Sequence, residues 1–559
     1  MLSDRNFKLI IGLCTVTYLL GIFFIPLMDI DASQYASISR EMLERKSFLQ
    51  VFDLGYDYLD KPPMLFWLSA LSMKILGVHD WAYRFPSFLF ALLAIYATYR
   101  LARLFYQKEI AQLSAMVLAS SQAMFLITQD VRCDTMLMGW VIFSIWQMAA
   151  WYQTGKWKYF FAAFIAIACG MMTKGPIALM VPAFAFVPHF MLKREWKQLF
   201  RWEYLVGVLI IAVMLLPMSW GLYRQFDLHP GKLINGVPIQ SGLRFYYWTQ
   251  SFGRYTGENV FNEMNHFTFL LENMLWSFLP WIFLFLIGLF FNVKNIVQQK
   301  FRLSGNDEWI AAGGFIITYF ILARSQAQLP HYIFVVFPLA AIVTAKFLFR
   351  LVFTEELRKW KKPLLVFHAI VFALLLVAAI ILQAWAFPLT GVNRLLVPLI
   401  GVISIVNFLG ILFRNNFKQT RLIALLCTTT LAINMLLSIH FYPNVLRFQL
   451  GNDAATFIAG EKLPKEKISL YGIHEGRALH FYAANIFQTK TAVTAFNTDE
   501  FVLTSKDSLA LFLSKFPEAK ILHEGPHFGV TALSLPFLNP HTRNQEVPKY
   551  VILSLSGKR

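Results

Sequence analysis

The stretch LLVFHAIVFALLLVAAIILQAWA at residues 364–386 is an apolar run that contains no charged side chain. An α-helix needs about 20 such residues to cross the hydrocarbon core of a bilayer. Similar runs recur along the chain, at residues 8–27, 82–102, 110–128, 135–152, 159–172, 176–192, 203–222, 273–292, 308–324, 332–351, 394–413 and 422–441. The sequence therefore predicts a membrane α-helical protein with about thirteen transmembrane helices.

The composition excludes an ordinary soluble globular domain, because 57% of the 559 residues are hydrophobic and the mean hydropathy is +0.53. A formal net charge of +18 would suit a nucleic-acid partner, but the basic residues lie in short loops that each follow an even number of apolar runs. These loops lie at residues 100–108, 156–158, 193–201, 294–302, 358–362 and 414–421. The positive-inside rule places them and the N-terminus in the cytoplasm, and we expect no nucleic-acid partner.

Two long polar segments separate the apolar runs, at residues 28–81 and 223–272. Counting the runs places both segments on the non-cytoplasmic side, where residues 130–134 also lie. Within the first segment, residues 64–76 are amphipathic and contain Trp67, which predicts a helix along the membrane interface. Polar segments that are distant in the sequence thus meet on one side of a helical scaffold, which is where we expect an active site.

After residue 442 the charge rises and the apolar runs shorten. Short runs rich in β-branched and aromatic residues predict strands, and one amphipathic stretch predicts a helix. The predicted strands are 467–473, 480–486, 519–523 and 550–555, and the predicted helix is 507–515. We therefore divide the chain into a transmembrane domain, residues 1–442, and a small non-cytoplasmic α/β domain, residues 443–559.

Carboxylates and cations predicted on the non-cytoplasmic side are the candidate catalytic and binding residues. Asp31 follows the first apolar run, and Lys61 stands in the Pro-bounded stretch DYLDKPP at residues 57–63. An acid can position or activate an acceptor, and a cation can hold a leaving phosphate. The alternative is that Asp31 caps the helix that follows it.

Further cations are predicted on the same side, against the positive-inside trend. They are Lys174 at the mouth of two short spans, Arg84 and Arg254. Together with Lys61 they could neutralise a lipid phosphate. Each of them alone could instead form a structural ion pair or anchor a helix at the interface.

A divalent metal is the remaining candidate ligand. His266 is flanked by polar residues, and with Asp60 or Glu263 it could bind a divalent metal such as zinc. The alternative is that His266 is a hydrogen-bonded loop residue. No cofactor is certain from the sequence.

Four motifs of the chain resemble a family of integral-membrane glycosyltransferases that includes the aminoarabinose transferases of lipid A and the protein O-mannosyltransferases. The motifs are Asp31 with YASISREML at residues 35–43, YLDKP at 58–62, GMMTKG at 170–175 and LPHY at 329–332. Their order and spacing are similar to those of the aminoarabinose transferase type. The resemblance implies a GT-C-like fold with a small C-terminal periplasmic α/β domain, in a bacterial inner membrane.

The resemblance also implies the reaction: transfer of a sugar from a polyprenyl-phosphate donor, typically undecaprenyl phosphate, at the periplasmic face. Asp31 resembles the essential acid of the first loop, and Asp134 resembles a second acid at the start of the fourth span. Residues that resemble donor-phosphate contacts are Tyr58, Lys61, Arg254 and Tyr332. Asp60 and His266 resemble a metal pair of this type.

Three positions depart from the family pattern. Ala32 follows Asp31 where the family has Glu, Asp60 stands where it usually has Glu, and Gln328 stands where it has Lys. A sugar other than aminoarabinose, or a different acceptor, therefore stays open. We expect sugar transfer to lipid A or another envelope glycolipid. The alternatives are a protein O-glycosyltransferase or, from a different class, a flippase of lipid-linked sugars, which would place ionisable residues deep inside its spans.

Overall fold

The structure of the protein is a computed structural model. It describes residues 3–234, 236–256, 258, 266–305, 307–473, 476–529 and 533–556, and it does not describe the side chains of residues 254, 255 and 416.

Helices dominate the chain up to residue 445. They are α1 (Asp4–Phe24), α2 (Asp31–Arg45), α3 (Met64–Leu76), α4 (Asp80–Phe105), α5 (Lys108–Ala119), α6 (Gln122–Ile127), α7 (Cys133–Thr154), α8 (Trp157–Lys174), α9 (Ile177–Lys193), α10 (Glu203–Leu222), α11 (Gly242–Arg244), α12 (Gly253–Thr256), α13 (Phe269–Ser277), α14 (Ile282–Gln298), α15 (Ile310–Ala323), α16 (Phe337–Phe353), α17 (Arg358–Ala386), α18 (Asn393–Phe413), α19 (Arg421–Leu436) and α20 (Tyr442–Val445). Two hairpins lie between them, β1 (Phe52–Asp53) with β2 (Tyr56–Asp57) and β3 (Lys232–Ile234) with β4 (Val237–Ile239).

Every predicted span overlaps a helix, but these helices differ in length and in hydropathy. Among the described residues, seven helices are long and apolar enough to cross a membrane. They are Asp4–Phe24, Asp80–Phe105, Glu203–Asp227, Pro330–Phe353, Arg358–Ala386, Asn393–Phe413 and Arg421–Phe448. The other predicted spans are shorter, broken or less apolar. A multi-pass membrane protein is confirmed, and the number thirteen stays a prediction.

Two predicted spans are interrupted helices. Residues 110–128 divide into α5 and α6 at Ser120 and Ser121, and residues 273–292 divide into α13 and α14 around Pro280. Proline cannot donate the next helical hydrogen bond, so a helix ends there. The two breaks face each other, because the indole nitrogen of Trp281 donates to the hydroxyl of Ser120 at 3.0 Å. At the two breaks, backbone groups that have lost their helical hydrogen-bond partners lie next to one another inside an apolar bundle.

The first polar segment folds into α2, the β1–β2 hairpin and α3. The helix predicted at residues 64–76 is confirmed as α3, and one face of it is buried against α2 and α4. Its location along the membrane interface stays a prediction. The second polar segment contains the β3–β4 hairpin and short helical turns that pack beside the first segment through the side chain of Gln225.

The chain after residue 445 forms a mixed sheet. Its elements are α21 (Leu450–Gly460), β5 (Ile468–Tyr471), α22 (Arg477–Tyr482), β6 (Gln488–Thr489), β7 (Phe501–Ser505), α23 (Leu509–Lys515), β8 (Lys520–Pro526), α24 (Leu535–Leu538), α25 (Arg543–Glu546) and β9 (Lys549–Ser554). The strand order is β6-β5-β7-β9-β8, with β5 parallel to β6 and β7, and β9 antiparallel to β7 and β8.

The strand predicted at residues 480–486 is wrong, because residues 477–482 form helix α22. Tertiary packing overrides the local β-propensity there. The guanidinium of Arg40 on α2 donates to the carbonyls of His480 and Phe481, and the hydroxyl of Ser37 donates to the carbonyl of Arg477 at 3.4 Å. Helix α22 therefore fixes α2 against the C-terminal sheet region.

Gly451 allows α21 to approach α22 closely. A Cβ atom at Gly451 would lie 2.6 Å from the Cβ of Ala478 and 2.7 Å from the backbone nitrogen of Leu479. We expect Gly451→Ala to lower the free energy of unfolding by about 1–3 kcal/mol through this overpacking. The measurement is the apparent melting temperature of the purified protein in detergent.

Gly460→Ala is the matched control, because Gly460 lies on the same helix and nothing lies within 4 Å of its added Cβ. It should not lower the melting temperature, since alanine favours a helix. Equal melting temperatures for both variants would refute the close approach of α21 and α22.

Candidate active site

Lys61 lies in the turn between β2 and α3. Pro62 and Pro63 hold this turn, and Pro63 directly precedes the first residue of α3, a position that proline tolerates well. The ammonium of Lys61 donates to the carboxylate of Asp60 at 2.6 Å. The side-chain amide of Gln250, from the second polar segment, donates to the same carboxylate at 3.1 Å.

Lys174 is the last residue of α8. The helix ends there because Gly175 adopts a φ of +99°, which glycine accommodates without steric cost. The ammonium of Lys174 forms an ion pair with the carboxylate of Asp134 in the first turn of α7. It also lies 3.8 Å from the centroid of the Tyr332 ring, which is a cation–π contact.

Arg132 joins the remaining acids. Its guanidinium forms an ion pair with Asp31, the first residue of α2, and a second one with Asp130 at 2.8 Å. It also lies 3.4 Å from Nδ1 of His331, whose Nε2 lies 3.6 Å from the carboxylate of Asp134. One network of charges thus connects the starts of α2 and α7 with the segment before α16.

Two cavities adjoin at this network. The first, of about 110 Å³, is mostly apolar and is lined by side chains such as Leu137, Ile177 and Met180. The second, of about 430 Å³, is more polar and contains Asp31 and Arg132. The lining residues that both cavities share are Asp60, Lys61, Asp134 and Tyr332. Lys174 and Gln250 line the apolar cavity, and Tyr35, Asp130, Gln328 and His331 line the polar one.

Lys61 keeps its charge at the boundary between the cavities. Burial acts to lower the pKa of the ammonium, but the carboxylate of Asp60 and then the neighbouring Tyr332 and Cys133 together raise it by more, so the pKa of Lys61 lies above its ordinary value. Lys61 is therefore a permanent cation at neutral pH.

The structure brings together most of the residues predicted for the site: Asp31, Asp60, Lys61, Asp134, Lys174 and Tyr332. Tyr58 is buried one step away, in a small pocket behind Lys61 that it shares with Pro62 and Gln225. The side chain of Arg254 lies outside the described residues, so its donor-phosphate role stays a prediction.

Arg84 is not in either cavity, so the structure does not support its predicted contact with the donor phosphate. Its guanidinium is completely buried and donates to backbone carbonyls of Gln129 at 2.9 Å, Ile22 at 3.1 Å, Pro26 at 2.7 Å and Ile25. Carbonyls near the end of α1 lack helical partners, and Arg84 satisfies them. Its role in this structure is to fix the chain where α1 ends.

The two predicted metal ligands, Asp60 and His266, do not contact each other in the structure. His266 is exposed and contacts the carboxylate of Glu272 at 3.2 Å, while Asp60 contacts Lys61 and Gln250. Zinc prefers four nitrogen, sulfur or oxygen ligands. In the described part of the chain, which leaves out residues 259–265, no cluster of three His, Cys, Asp or Glu side chains is suited to a metal. A zinc site stays a prediction.

Sequence reasoning did not assign roles to Arg132, Asp130, His331 or Gln250. A signal was present for two of them, because residues 130–134 alternate charged and apolar side chains just before a predicted span. Gln328, which stands where the family has lysine, is buried and donates from its amide nitrogen to the carbonyls of Ala323 and Ser325. It therefore holds the segment before His331.

Comparison of the sequence with known proteins gives matches over much of the chain. Residues 60–220 match the family described as dolichyl-phosphate-mannose-protein mannosyltransferase. A protein from Aquifex aeolicus is 29% identical over 367 residues, covering 65% of this chain and 67% of that one. An undecaprenyl phosphate-alpha-4-amino-4-deoxy-L-arabinose arabinosyl transferase from Enterobacter sp. is 26% identical, covering 64% of this chain and 62% of the relative.

Comparison of structures establishes the fold. The crystal structure of ArnT from Cupriavidus metallidurans bound to undecaprenyl phosphate superimposes with a TM-score of 0.76 at 19% identity, covering 100% of both chains. The oligosaccharyltransferase of Archaeoglobus fulgidus gives a TM-score of 0.53 at 12% identity, covering 90% of this chain and 70% of that one. The membrane α-helical GT-C fold and the predicted resemblance to these glycosyltransferases are confirmed.

We expect Arg84→Met to destabilise the protein by about 3 kcal/mol or more, because several buried carbonyls lose their donor. Arg103→Met is the matched control on the same helix, since Arg103 is exposed. It should change the stability by less than about 0.5 kcal/mol. Apparent melting temperatures in detergent measure both effects, and a wild-type value for Arg84→Met would contradict the structural role.

Proposed function

We propose that this protein transfers a sugar from a polyprenyl-phosphate donor to an envelope acceptor, such as lipid A or another glycolipid, at the periplasmic face of a bacterial inner membrane. The observation that carries the proposal is the pair of adjoining cavities with Lys61 at their shared boundary. The donor has the same division, because an apolar prenyl chain ends in a phosphate that bears a polar sugar. The prenyl end occupies the apolar cavity and the sugar occupies the polar one.

Lys61 and Lys174 hold the phosphate. In the reaction an acceptor oxygen bonds to the anomeric carbon, the bond from that carbon to the phosphate oxygen breaks, and the polyprenyl phosphate leaves with the bonding electrons. Negative charge grows on the phosphate as the bond breaks, and positioned cations stabilise that charge in the transition state. Tyr58 packs behind Lys61 and supports its position.

Asp31 faces the acceptor. Its ion pair with Arg132 orients the carboxylate toward the polar cavity. With a hydroxyl acceptor, Asp31 takes the proton as general base. With a phosphate acceptor, which is already a nucleophile, Asp31 orients the reacting groups. Asp134, which lines both cavities and lies close to His331, holds the ammonium of Lys174 on the side of the apolar cavity.

The helices that carry the site support a periplasmic location for it. Asp134 begins α7 and Lys174 ends α8, while the basic residues Lys156 and Lys158 lie where the two helices join, just before α8 and in its first turn. The site and the basic loops therefore lie at opposite ends of the same helices. The positive-inside rule then supports a cytoplasmic N-terminus, periplasmic loops at 28–81 and 223–272, and a periplasmic α/β domain at 443–559.

The relatives support the donor class. The Enterobacter relative is an undecaprenyl phosphate-alpha-4-amino-4-deoxy-L-arabinose arabinosyl transferase, and the Cupriavidus protein was crystallised bound to undecaprenyl phosphate. The sugar need not be aminoarabinose, because Gln328 stands at the polar cavity where the family has lysine. A neutral amide that is tied to loop carbonyls gives that cavity a different charge.

We expect Lys61→Ala to lower kcat/KM for sugar transfer by about 10²–10³-fold, as for removal of one group that stabilises transition-state charge. The assay supplies membranes with radiolabelled polyprenyl-phosphate sugars and an envelope extract. Lys158→Ala, an exposed lysine at the opposite end of the helices, is the control and should keep full activity. Equal transfer by both variants would refute the site, and label recovered on protein would identify a protein O-glycosyltransferase.

We expect Asp31→Asn to lower turnover by about 10²-fold or more if the acceptor is a hydroxyl, because the amide cannot take a proton. A smaller loss is expected with a phosphate acceptor. Glu44→Gln is the control, since Glu44 is a half-exposed carboxylate on the same helix. The measurement is kcat with each acceptor class, and undiminished transfer to a hydroxyl would exclude Asp31 as the base.

A further inference from the structure

A third cavity, of about 650 Å³, lies where α1 ends and α4 begins, against α20 and α21. It shares no lining residue with the two cavities of the candidate active site. The rings of Phe23 and Phe24 form one wall, and these side chains are 59% and 58% exposed on a helix that can span a membrane. The cavity therefore opens at the end of a membrane span, at the depth of the lipid headgroups.

The wall opposite these rings is one face of α21. Asn452, Ala455, Thr456 and Ala459 follow the spacing i, i+3, i+4 and i+7, so they lie on one side of the helix. Their side chains are short, which leaves the volume open. The amide nitrogen of Asn452 is buried and has no hydrogen-bond partner among the described residues, so a donor stands at this wall.

The polar end of the cavity carries one cation and one anion. Arg447 is exposed, and no described carboxylate forms an ion pair with it. Asp80 is partly exposed, accepts from the backbone nitrogen of Trp81 at 2.8 Å and from the hydroxyl of Tyr482 at 3.0 Å, and lies 3.9 Å from the guanidinium of Arg84. Because Arg84 is committed to backbone carbonyls, Asp80 retains capacity for another donor.

We propose that this cavity binds the headgroup of a phospholipid that carries a phosphate and a primary ammonium, of the phosphoethanolamine class. The guanidinium of Arg447 binds the phosphate through paired hydrogen bonds. The ammonium donates to the carboxylate of Asp80, and the acyl chains lie along Phe23 and Phe24 in the bilayer.

The paired charges distinguish this headgroup from its neighbours in the membrane. A purely anionic headgroup would bring a second negative charge close to Asp80 and would offer this carboxylate no ammonium. A quaternary ammonium carries no N–H group and cannot donate to a carboxylate. Of these three kinds of headgroup, the phosphoethanolamine group is the one that matches both ends of the cavity with hydrogen bonds.

The test is native mass spectrometry of the purified full-length protein with phosphatidylethanolamine, phosphatidylglycerol or phosphatidylcholine added at equal concentration. Phosphatidylethanolamine should bind more tightly than the other two lipids. Arg447→Gln should weaken its binding about tenfold, as for loss of one charge-assisted contact. Arg394→Gln, an exposed arginine at the start of α18 and outside the cavity, should bind as the wild type does.

A second variant, Thr456→Trp, fills the cavity from its exposed side without removing a charge and should also weaken the binding. The proposal is overturned if phosphatidylglycerol or phosphatidylcholine binds as tightly as phosphatidylethanolamine. It is also overturned if Arg447→Gln and Thr456→Trp both keep wild-type affinity. Sugar transfer is not part of this readout, so the outcome is independent of the proposed reaction.

Discussion

The ion pairs of Arg132 with Asp31 and Asp130 are the interactions on which the candidate site depends. A charge at the end of a membrane helix is costly unless a partner of opposite sign lies beside it. Arg132 supplies that partner to two elements at once, because Asp31 begins α2 and Asp130 precedes α7. Through His331 the same network continues to Asp134 and Lys174, so the helices that form the cavities have a fixed relation to one another.

The helical scaffold was largely predictable, because an apolar run that is long enough to cross a membrane can be recognised from the sequence alone. Helices α3 and α9 lie within a residue of their predicted bounds. The breaks at Ser120 and Pro280 were missed, since each break is stabilised by the other, and this contact joins residues that are 161 positions apart. A strand was predicted at residues 480–486, where helix α22 ends, for the same reason: the partners of α22 on α2 are distant in the sequence.

The site was predictable in part. Lys61 and Arg84 look alike in the sequence, as both are cations near proline residues on the same side of the membrane. The structure separates them, because backbone carbonyls surround one guanidinium and an open cavity adjoins the other cation. Which of the two cations can bind a ligand depends on where the helix ends lie in three dimensions. Arg132 was overlooked because its two partners come from segments whose proximity the sequence does not reveal.

The docking of α22 on α2 has a consequence for biosynthesis. Helix α2 emerges early from the ribosome and carries Asp31, yet the carbonyls that bind its Arg40 belong to residues synthesised about 440 positions later. Until residues 480 and 481 have been synthesised, the guanidinium of Arg40 lacks the two carbonyls to which it donates in the folded protein. A segment that is translated late therefore completes the environment of one that is translated early. A protein truncated before residue 477 would keep its apolar helices but would lack the carbonyls that bind Arg40 of α2.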